Sequence, residues 1–158
     1  MRHQTREFTQ RFLDAHKVLP EMKVLEVGSL DVNGIITDLF PAGTFTGVDM
    51  REGSNVDVVM NGHDLVSKFG EEAFDVVACF DTLEHDDKFW LTVEQMRKVL
   101  KKGGWMLIGV PGRNCPAHDH PSDYWRFMFG AFNVFFEGFS DVVVEPENDD
   151  EVYGRGQK

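Results

Sequence analysis

Histidines and acids gather in two short stretches of this sequence. "DTLEHD" contains Asp81 and His85, and "HDHPSDYW" begins with His118. Side chains of these types can take a proton from a reacting group or return one to it. The candidates for such acid–base chemistry are Asp81, His85, His118 and His120. A histidine can also cap the helix that follows it, so a purely structural role for His85 stays open.

The second stretch also offers possible metal ligands, because its two histidines lie beside Asp119 and Asp123. The imidazoles are only two residues apart in a loop that contains a proline, and the sequence supplies no secure third ligand. We therefore predict no metal. We predict instead that Asp119, Tyr124 and Trp125 border a substrate pocket, with the two aromatic rings packed over ligand or core.

A further set of candidates follows the apolar runs of the chain one by one. "VLEVGS" places Glu26, Gly28 and Ser29 at the end of one run, and Asp49 follows the next. A glycine lets a ligand approach the backbone closely, and an acid at this point commonly accepts hydrogen bonds from ribose hydroxyls. A simple turn at Gly28 and a capping role for Asp49 remain alternatives. Together the two features favour an adenosine-containing ligand.

The third apolar run is followed by "MNGHDL", which contains Asn61 and Gly62. The asparagine oxygen can accept a hydrogen bond from an exocyclic amine, and the glycine N–H can face an adenine ring nitrogen. The Asn-Gly dipeptide also favours a plain turn, and taken alone it is better explained that way.

Apolar periodicity predicts the elements that would position these residues. The predicted strands are "EMKVLEVG", "TFTGVDM", "NVDVVM", "AFDVVACF" and "GWMLIGVP", with "FSDVVVEPE" and "EVYGRGQ" as two closing strands. The predicted helices are residues 5–19, "GIITDLF", "GHDLVSKFG", "DKFWLTVEQMRKVLK" with a C-cap at Gly103, and "SDYWRFMFGAFNVFF" with Ser122 as N-cap. This alternation predicts a Rossmann-like, doubly wound α/β fold with a mostly parallel sheet of about seven strands and helices on both faces. Ligands bind such sheets beyond the carboxyl ends of the strands, where all the candidates lie.

Length and composition limit the class of protein. A chain of 158 residues suits one domain, with an N-terminal helix over residues 1–20 and an α/β core over 21–158. Two distant cysteines, Cys79 and Cys115, exclude a disulfide framework and a zinc site built on CxxC. The formal net charge of -11 makes nucleic acid an improbable partner. We predict a cytoplasmic protein without membrane association, because there is no apolar run of membrane length and no signal peptide.

In this order, the pieces resemble the class I S-adenosylmethionine-dependent methyltransferases, and most closely their small type-11-like group. The resemblance runs from about Val24 to Phe139. "VLEVGSLDVNG" resembles the loop that opens the cofactor site, "GVDM" the ribose-binding acid and "NGHDL" the adenine segment. "FDVVACFDTLEHD" is similar to the fourth strand with its continuation, and "HDHPSDYWRF" to a related pattern after the fifth. The chain departs from the usual glycine-rich loop at Leu30 and Val32, and it has Asn61 where an aspartate is more common.

The resemblance implies S-adenosylmethionine as cofactor, with S-adenosylhomocysteine as product. The residues it implies for cofactor binding are Glu26, Gly28, Ser29, Asp49, Met50, Asn61, Gly62, His63 and Phe80. It implies methyl transfer to an oxygen or nitrogen acceptor on a small molecule or on an exposed group of a larger partner, with a small molecule as the expected acceptor. A catalytically silent cofactor-binding module that acts through a partner is the alternative. A nicotinamide oxidoreductase is disfavoured because GxGxxG is missing.

Overall fold

A seven-stranded sheet organises the chain. The computed structural model describes residues 3–32, 34–118, 122–147 and 150–158. The strands are β1 Val24–Val27, β2 Phe45–Asp49, β3 Val58–Val59, β4 Phe74–Phe80, β5 Leu100–Pro111, β6 Ser140–Glu147 and β7 Glu151–Gln157. The helices are α1 His3–Ala15, α2 Leu65–Phe69, α3 Phe89–Val99 and α4 Phe129–Phe135. Short 3₁₀ turns cover Thr37–Leu39, Gly62–Asp64 and Leu83–His85.

The strand order is β3-β2-β1-β4-β5-β7-β6. The first five strands in this order pair in parallel, whereas β7 runs antiparallel to both β5 and β6. The predicted mostly parallel sheet of about seven strands is therefore confirmed. The chain order reverses at β1, so the carboxyl ends of β1 and β4 border a crevice of the kind that binds ligands in open α/β sheets.

The two faces of the sheet carry separate apolar cores. Alternate residues of a strand point to opposite faces, so Leu25 and Val27 join one core while Val24 joins the other. The larger core packs the sheet against α3 and α4, and α2 contributes Leu65. The smaller core packs α1 onto the sheet through Phe8. Helices therefore pack on both faces of the sheet, as the sequence predicts.

The prediction of a helix over "GIITDLF" is wrong, because only Thr37–Leu39 forms a 3₁₀ turn. Such a short segment cannot offset the cost of helix nucleation by itself. Its apolar side chains are used instead to fill the smaller core, where Ile36 is fully buried and Phe40 nearly so. Arg6 of α1 holds the segment from outside by donating to the Ile35 carbonyl and to the Asp38 carboxylate.

The prediction of one helix over "SDYWRFMFGAFNVFF" is also wrong in its first half. Helix α4 begins at Phe129 with Met128 as N-cap, so Ser122 caps nothing. The preceding stretch has no regular secondary structure and is held by two backbone hydrogen bonds: Tyr124 N donates to Glu84 O at 2.8 Å, and Phe127 N donates to Pro111 O at 2.9 Å. These bonds draw the chain across the ends of β4 and β5 before the helix starts.

The end of α3 differs from the prediction as well. The helix stops at Val99, and Gly103 lies inside β5 with a φ of 77° rather than capping a helix. The pairing of β4 with β5 shifts register in this region, as expected for a bulge. Across the described part of the chain, no helix has both the length and the apolar character needed to cross a bilayer.

Candidate functional site

A cleft of about 670 Å³ opens at the carboxyl ends of β1, β2 and β4. Its volume lies in the usual range for small-molecule sites. Carboxylates dominate its charged side chains among the residues that the structure describes. The acids that line it are Glu26, Asp49, Asp81, Asp86 and Asp87, and the guanidinium that lines it is Arg51. Such a lining favours a cationic ligand and disfavours a pyrophosphate.

The turn after β1 forms the floor of the cleft. Gly28 has a φ of 78°, and a Cβ at this position would lie 1.9 Å from Thr82 Oγ1. The Gly28 and Ser29 amides donate to Val48 O at 2.8 and 3.0 Å, which fixes the turn against β2. Ser29 is buried, and its hydroxyl has no hydrogen-bond partner among the described residues. Glycine is therefore required here both by the backbone conformation and by the contact with the β4 turn.

Glu26 lies at the bottom of the cleft, only 3% exposed. Asn55 Nδ2 donates to Glu26 Oε2 at 3.2 Å and to Ser29 O at 2.8 Å, so one amide holds both the carboxyl and the turn. Burial raises the pKa of Glu26 to about 8, and the Asn55 bond offsets part of that rise. Sequence reasoning missed Asn55. The sequence feature that could have indicated it is an asparagine in a tight turn, because asparagine adopts a left-handed φ, here 67°, more readily than most residues.

This raised pKa predicts how the stability of the protein depends on pH. The folded-state pKa of about 8 lies above the ordinary value of 4.5. Folding therefore favours the protonated acid, and its contribution is fully present below about pH 4.5 and lost as pH rises through about 8. We expect Glu26→Gln, which cannot titrate, to flatten the fall in unfolding free energy across that window by up to about 1.4 kcal/mol per pH unit.

The measurement for Glu26 is urea unfolding of both proteins between pH 5 and pH 8. Other groups titrate in both proteins, so the difference between the two curves isolates Glu26. The surface variant Glu7→Gln is the control, because Glu7 lies on exposed α1 surface and contacts only His3 among its described ion-pair partners. Parallel curves for wild type and Glu26→Gln would contradict the burial argument.

Asp49 closes β2 and faces the cleft with its side chain 12% exposed. Its Oδ1 accepts from Arg51 N at 2.9 Å, and its Oδ2 accepts weakly from Leu30 N at 3.4 Å. Each carboxylate oxygen can accept more than one bond, so both retain capacity for a ligand. Met50 follows on the rim, 63% exposed. The arrangement suits a ligand with neighbouring hydroxyls and an apolar face.

The segment after β3 uses Asn61 as a cap. Its Oδ1 accepts from His63 N at 2.9 Å and starts the 3₁₀ turn Gly62–Asp64. A Cβ on Gly62 would lie 2.9 Å from Thr92 Oγ1, so this turn packs tightly against α3. His63 does not stand alone, because its Nε2 lies 3.0 and 3.1 Å from the two Asp86 carboxylate oxygens. All three predicted residues line the cleft.

The end of β4 contributes Phe80 and Asp81 to the lining. Phe80 is buried and packs against Phe8 and Tyr153 at centroid distances of 6.3 Å. Asp81 has a φ of 45°, a left-handed conformation that is uncommon for a residue other than glycine. Its amide donates to Gly109 O at 3.1 Å, so the strained backbone is held by β5.

The other wall of the cleft is built from the turn after β4 and the stretch after β5. His85, His118, Ser122 and Tyr124 line it. The two imidazoles meet edge to face with centroids 5.2 Å apart. Beneath them lies Glu84, which is fully buried and which sequence reasoning did not single out. The prediction of no metal concerns His118 and His120, which are close in a proline-bearing loop without a secure third ligand. The structure instead brings His118 beside His85 and Glu84.

Trp125 lies outside the cleft lining. Its ring meets Phe89 edge to face at 5.5 Å, and its Nε1 donates to Asp86 O at 2.9 Å. It therefore braces the wall that Tyr124 presents. Asp119 and His120, also predicted for the site, lie outside the described residues.

Comparison with known proteins agrees with this architecture. A family model described as a methyltransferase domain matches residues 1–138, most of the chain. The chain belongs to the S-adenosylmethionine-dependent methyltransferases. The family, the fold and the cofactor expected from the sequence are confirmed at this level, and with them the enzyme class of the domain.

Individual methyltransferases show the same fold at low sequence identity. An S-adenosylmethionine-dependent methyltransferase from Archaeoglobus fulgidus superposes with a TM-score of 0.74 at 14% identity, covering 100% of this chain and 95% of that one. The 1,6-didemethyltoxoflavin-N1-methyltransferase of Burkholderia thailandensis, solved with bound 1,6-didemethyltoxoflavin and S-adenosylhomocysteine, gives a TM-score of 0.71 at 19% identity over 97% of this chain and 77% of that one.

A curated relative is the ubiquinone biosynthesis O-methyltransferase of Thiobacillus denitrificans, 26% identical over 132 residues. The match covers 73% of this methyltransferase domain and 56% of the relative. The domain therefore spans little more than half the length of that enzyme.

Proposed function

We propose that this chain binds S-adenosylmethionine in the cleft and transfers its methyl group to an oxygen or nitrogen atom of a small molecule. The observation that carries the proposal is the acid-rich cleft at the strand ends, closed below by the Gly28 turn and flanked by Asp49. The cofactor brings a sulfonium and an ammonium, and carboxylates favour both charges. A dinucleotide would bring a pyrophosphate into the same acidic lining.

The residues divide the cleft into two halves. Glu26, Gly28 and Asp49 belong to the cofactor half, where Asp49 would accept bonds from the ribose hydroxyls. His85, His118 and Tyr124 form the acceptor half on the opposite wall. The exposed ring of Tyr124 can cover an acceptor and keep water from the sulfonium.

Methyl transfer needs little further catalysis from the protein once the cofactor and the acceptor are aligned. The acceptor atom attacks the methyl carbon in line, the sulfonium–methyl bond breaks, and the electron pair returns to sulfur to give S-adenosylhomocysteine. Alignment at contact distance provides most of the acceleration. The acceptor also loses a proton, and an imidazole of His85 or His118 can take it. Because these imidazoles can take a proton, a hydroxyl or an amine is favoured as the group that receives the methyl.

Calorimetry followed by a transfer assay tests this function. We expect S-adenosylhomocysteine to bind at one site per chain and NAD to give no comparable heat. We then expect label from methyl-labelled S-adenosylmethionine to appear in a panel of hydroxyl- and amine-bearing metabolites. Tight NAD binding without a response to S-adenosylhomocysteine would contradict the cofactor assignment. Cofactor binding with no label transferred to metabolites or to a cell extract would favour a silent binding module.

A further inference from the structure

The buried acid Glu84 is unexplained by the cofactor half of the site. It lies in the 3₁₀ turn Leu83–His85 with no exposed surface. Neither of its carboxylate oxygens has a hydrogen-bond partner among the described residues. A buried carboxyl without partners costs free energy unless a proton or a cation satisfies it. The surroundings of Glu84 therefore indicate what that partner is.

Two imidazoles, those of His85 and His118, approach this acid. His85 Nδ1 donates to the Ser122 carbonyl, and His118 Nδ1 donates to the Pro116 carbonyl at 3.1 Å. A carbonyl only accepts, so each Nδ1 carries hydrogen, and in the neutral ring the lone pair lies on Nε2. Both Nε2 atoms lie 3.6 Å from the same oxygen, Glu84 Oε1. Three electron-pair donors thus converge on one point.

The distances distinguish a bridging ion from a hydrogen bond. A separation of 3.6 Å between nitrogen and oxygen is too long for a hydrogen bond. Two ligands bound to one ion at about 2.0–2.2 Å each are typically about 3–4 Å apart. One ligand atom from each of Glu84, His85 and His118 fits within a mutual spacing of 4.8 Å. The two nitrogen–oxygen separations of 3.6 Å match those of ligands around a single ion.

We propose that Glu84, His85 and His118 bind one divalent transition-metal ion at the acceptor wall of the cleft. Two imidazole nitrogens with one carboxylate are a donor set for zinc or iron(II), whereas magnesium and calcium prefer oxygen ligands. The two backbone carbonyls are the outer partners that metal-binding histidines commonly have, since they fix the ring tautomer.

The ion would be accessible from the cleft, because His85 and His118 both line it. Three protein ligands leave a coordination position open, as in catalytic rather than structural sites. With the ion bound, His85 and His118 would be ligands rather than proton acceptors, and an acceptor hydroxyl at the open position would instead lose its proton more easily to solvent water and be held in line with the methyl group. This last role rests on the proposed function, whereas metal binding itself does not.

Titration of the chelator-treated full chain with zinc and with magnesium, followed by calorimetry, tests the site. We expect one zinc per chain and at least tenfold weaker binding of magnesium. Glu84→Gln keeps the shape of the acid but cannot supply an anionic ligand, and His118→Ala removes a half-exposed ligand with little effect on packing. Each should weaken zinc binding at least tenfold. His3→Ala is the matched control, because His3 lies on α1 and contacts Glu7 at 3.4 Å outside the cleft.

Zinc binding that is absent, or unchanged in both Glu84→Gln and His118→Ala, would overturn the metal site and favour a proton on Glu84. Equal binding of zinc and magnesium would overturn the transition-metal assignment. If Glu84→Gln fails to fold, as judged by circular dichroism, His118→Ala decides alone. Binding of S-adenosylhomocysteine, measured on the same samples without metal, separates the two proposals. If wild type binds zinc but no S-adenosylhomocysteine, the proposed function is contradicted and the metal site is not.

Discussion

Replacing Asp49 by alanine should lower the affinity for S-adenosylhomocysteine at least about a hundredfold while the fold survives. A hydrogen bond to a charged carboxylate contributes about 1.5–3 kcal/mol, and two ribose hydroxyls would each donate one. Even at the lower value, two such bonds amount to about 3 kcal/mol, or roughly two orders of magnitude in affinity. The side chain is positioned for this by its bond from Arg51 N at 2.9 Å. Calorimetric titration of wild type and variant measures the effect.

Asp57→Ala is the matched control for Asp49→Ala. The Asp57 carboxylate also accepts from a backbone amide of β2, Gly47 N at 2.8 Å, yet it is absent from the cleft lining. Its loss should change stability and leave cofactor affinity unaltered. Equal affinities for wild type and Asp49→Ala would show that Asp49 serves only the turn. Equal losses in both variants would point to a general loosening of β2.

We expect Gly28→Ala to destabilise the protein by more than about 3 kcal/mol. A left-handed backbone costs a residue with a Cβ about 1–2 kcal/mol, and the new Cβ would also lie 1.9 Å from Thr82 Oγ1. Thr82 cannot easily rotate away, because its hydroxyl donates to Phe80 O at 2.8 Å. The turn after β1 or the turn after β4 must then move, and the cofactor half of the cleft is lost with it. Urea unfolding gives the cost.

Gly43→Ala separates the two causes of that destabilisation. Gly43 has a φ of 83°, nearly the same as Gly28, but nothing lies within 4 Å of an added Cβ. It should therefore cost only the conformational part, about 1–2 kcal/mol. Adding Thr82→Gly to Gly28→Ala should recover the remainder. If Gly28→Ala and Gly43→Ala lower the free energy of unfolding equally, the overlap with Thr82 is relieved without strain, and the predicted extra cost at Gly28 is wrong.

Much of the fold could be predicted because its signals are local. The strands β1, β4 and β5 are apolar runs, and α3 repeats apolar residues at helical spacing, so both patterns read directly from the sequence. The stretch before α4 could not be predicted in the same way. A helix is predicted over residues 122–128, but the Tyr124 and Phe127 amides donate to Glu84 O and Pro111 O, and the stretch is not helical. Those partners are distant in sequence, and tertiary hydrogen bonds outweigh local propensity.

The residues of the candidate site also fall into a group that could be predicted from local sequence and a group that could not. Glu26, Gly28 and Asp49 lie at the carboxyl ends of predictable strands, so their meeting at one sheet edge could be anticipated. Asn55 and Glu84 could not, because neither ends a strand. Asn55 acquires its role from its bonds to Glu26 and Ser29, and Glu84 acquires its role from burial. In sequence, Glu84 is an ordinary acid beside a histidine. Only the approach of His118, brought by the stretch after β5, makes it part of a cluster.

The position of β7 between β5 and β6 affects the order in which the molecule can assemble. β6 precedes β7 in the chain but joins the sheet only through it. During synthesis, β6 must therefore wait unpaired until β7 emerges and aligns Trp105 opposite Gln157. The Lys158 ammonium then donates to Arg97 O and Leu100 O at 2.7 Å and ties the chain to the end of α3. Such non-local pairing slows folding, so this half of the sheet forms late and the cofactor half can form first.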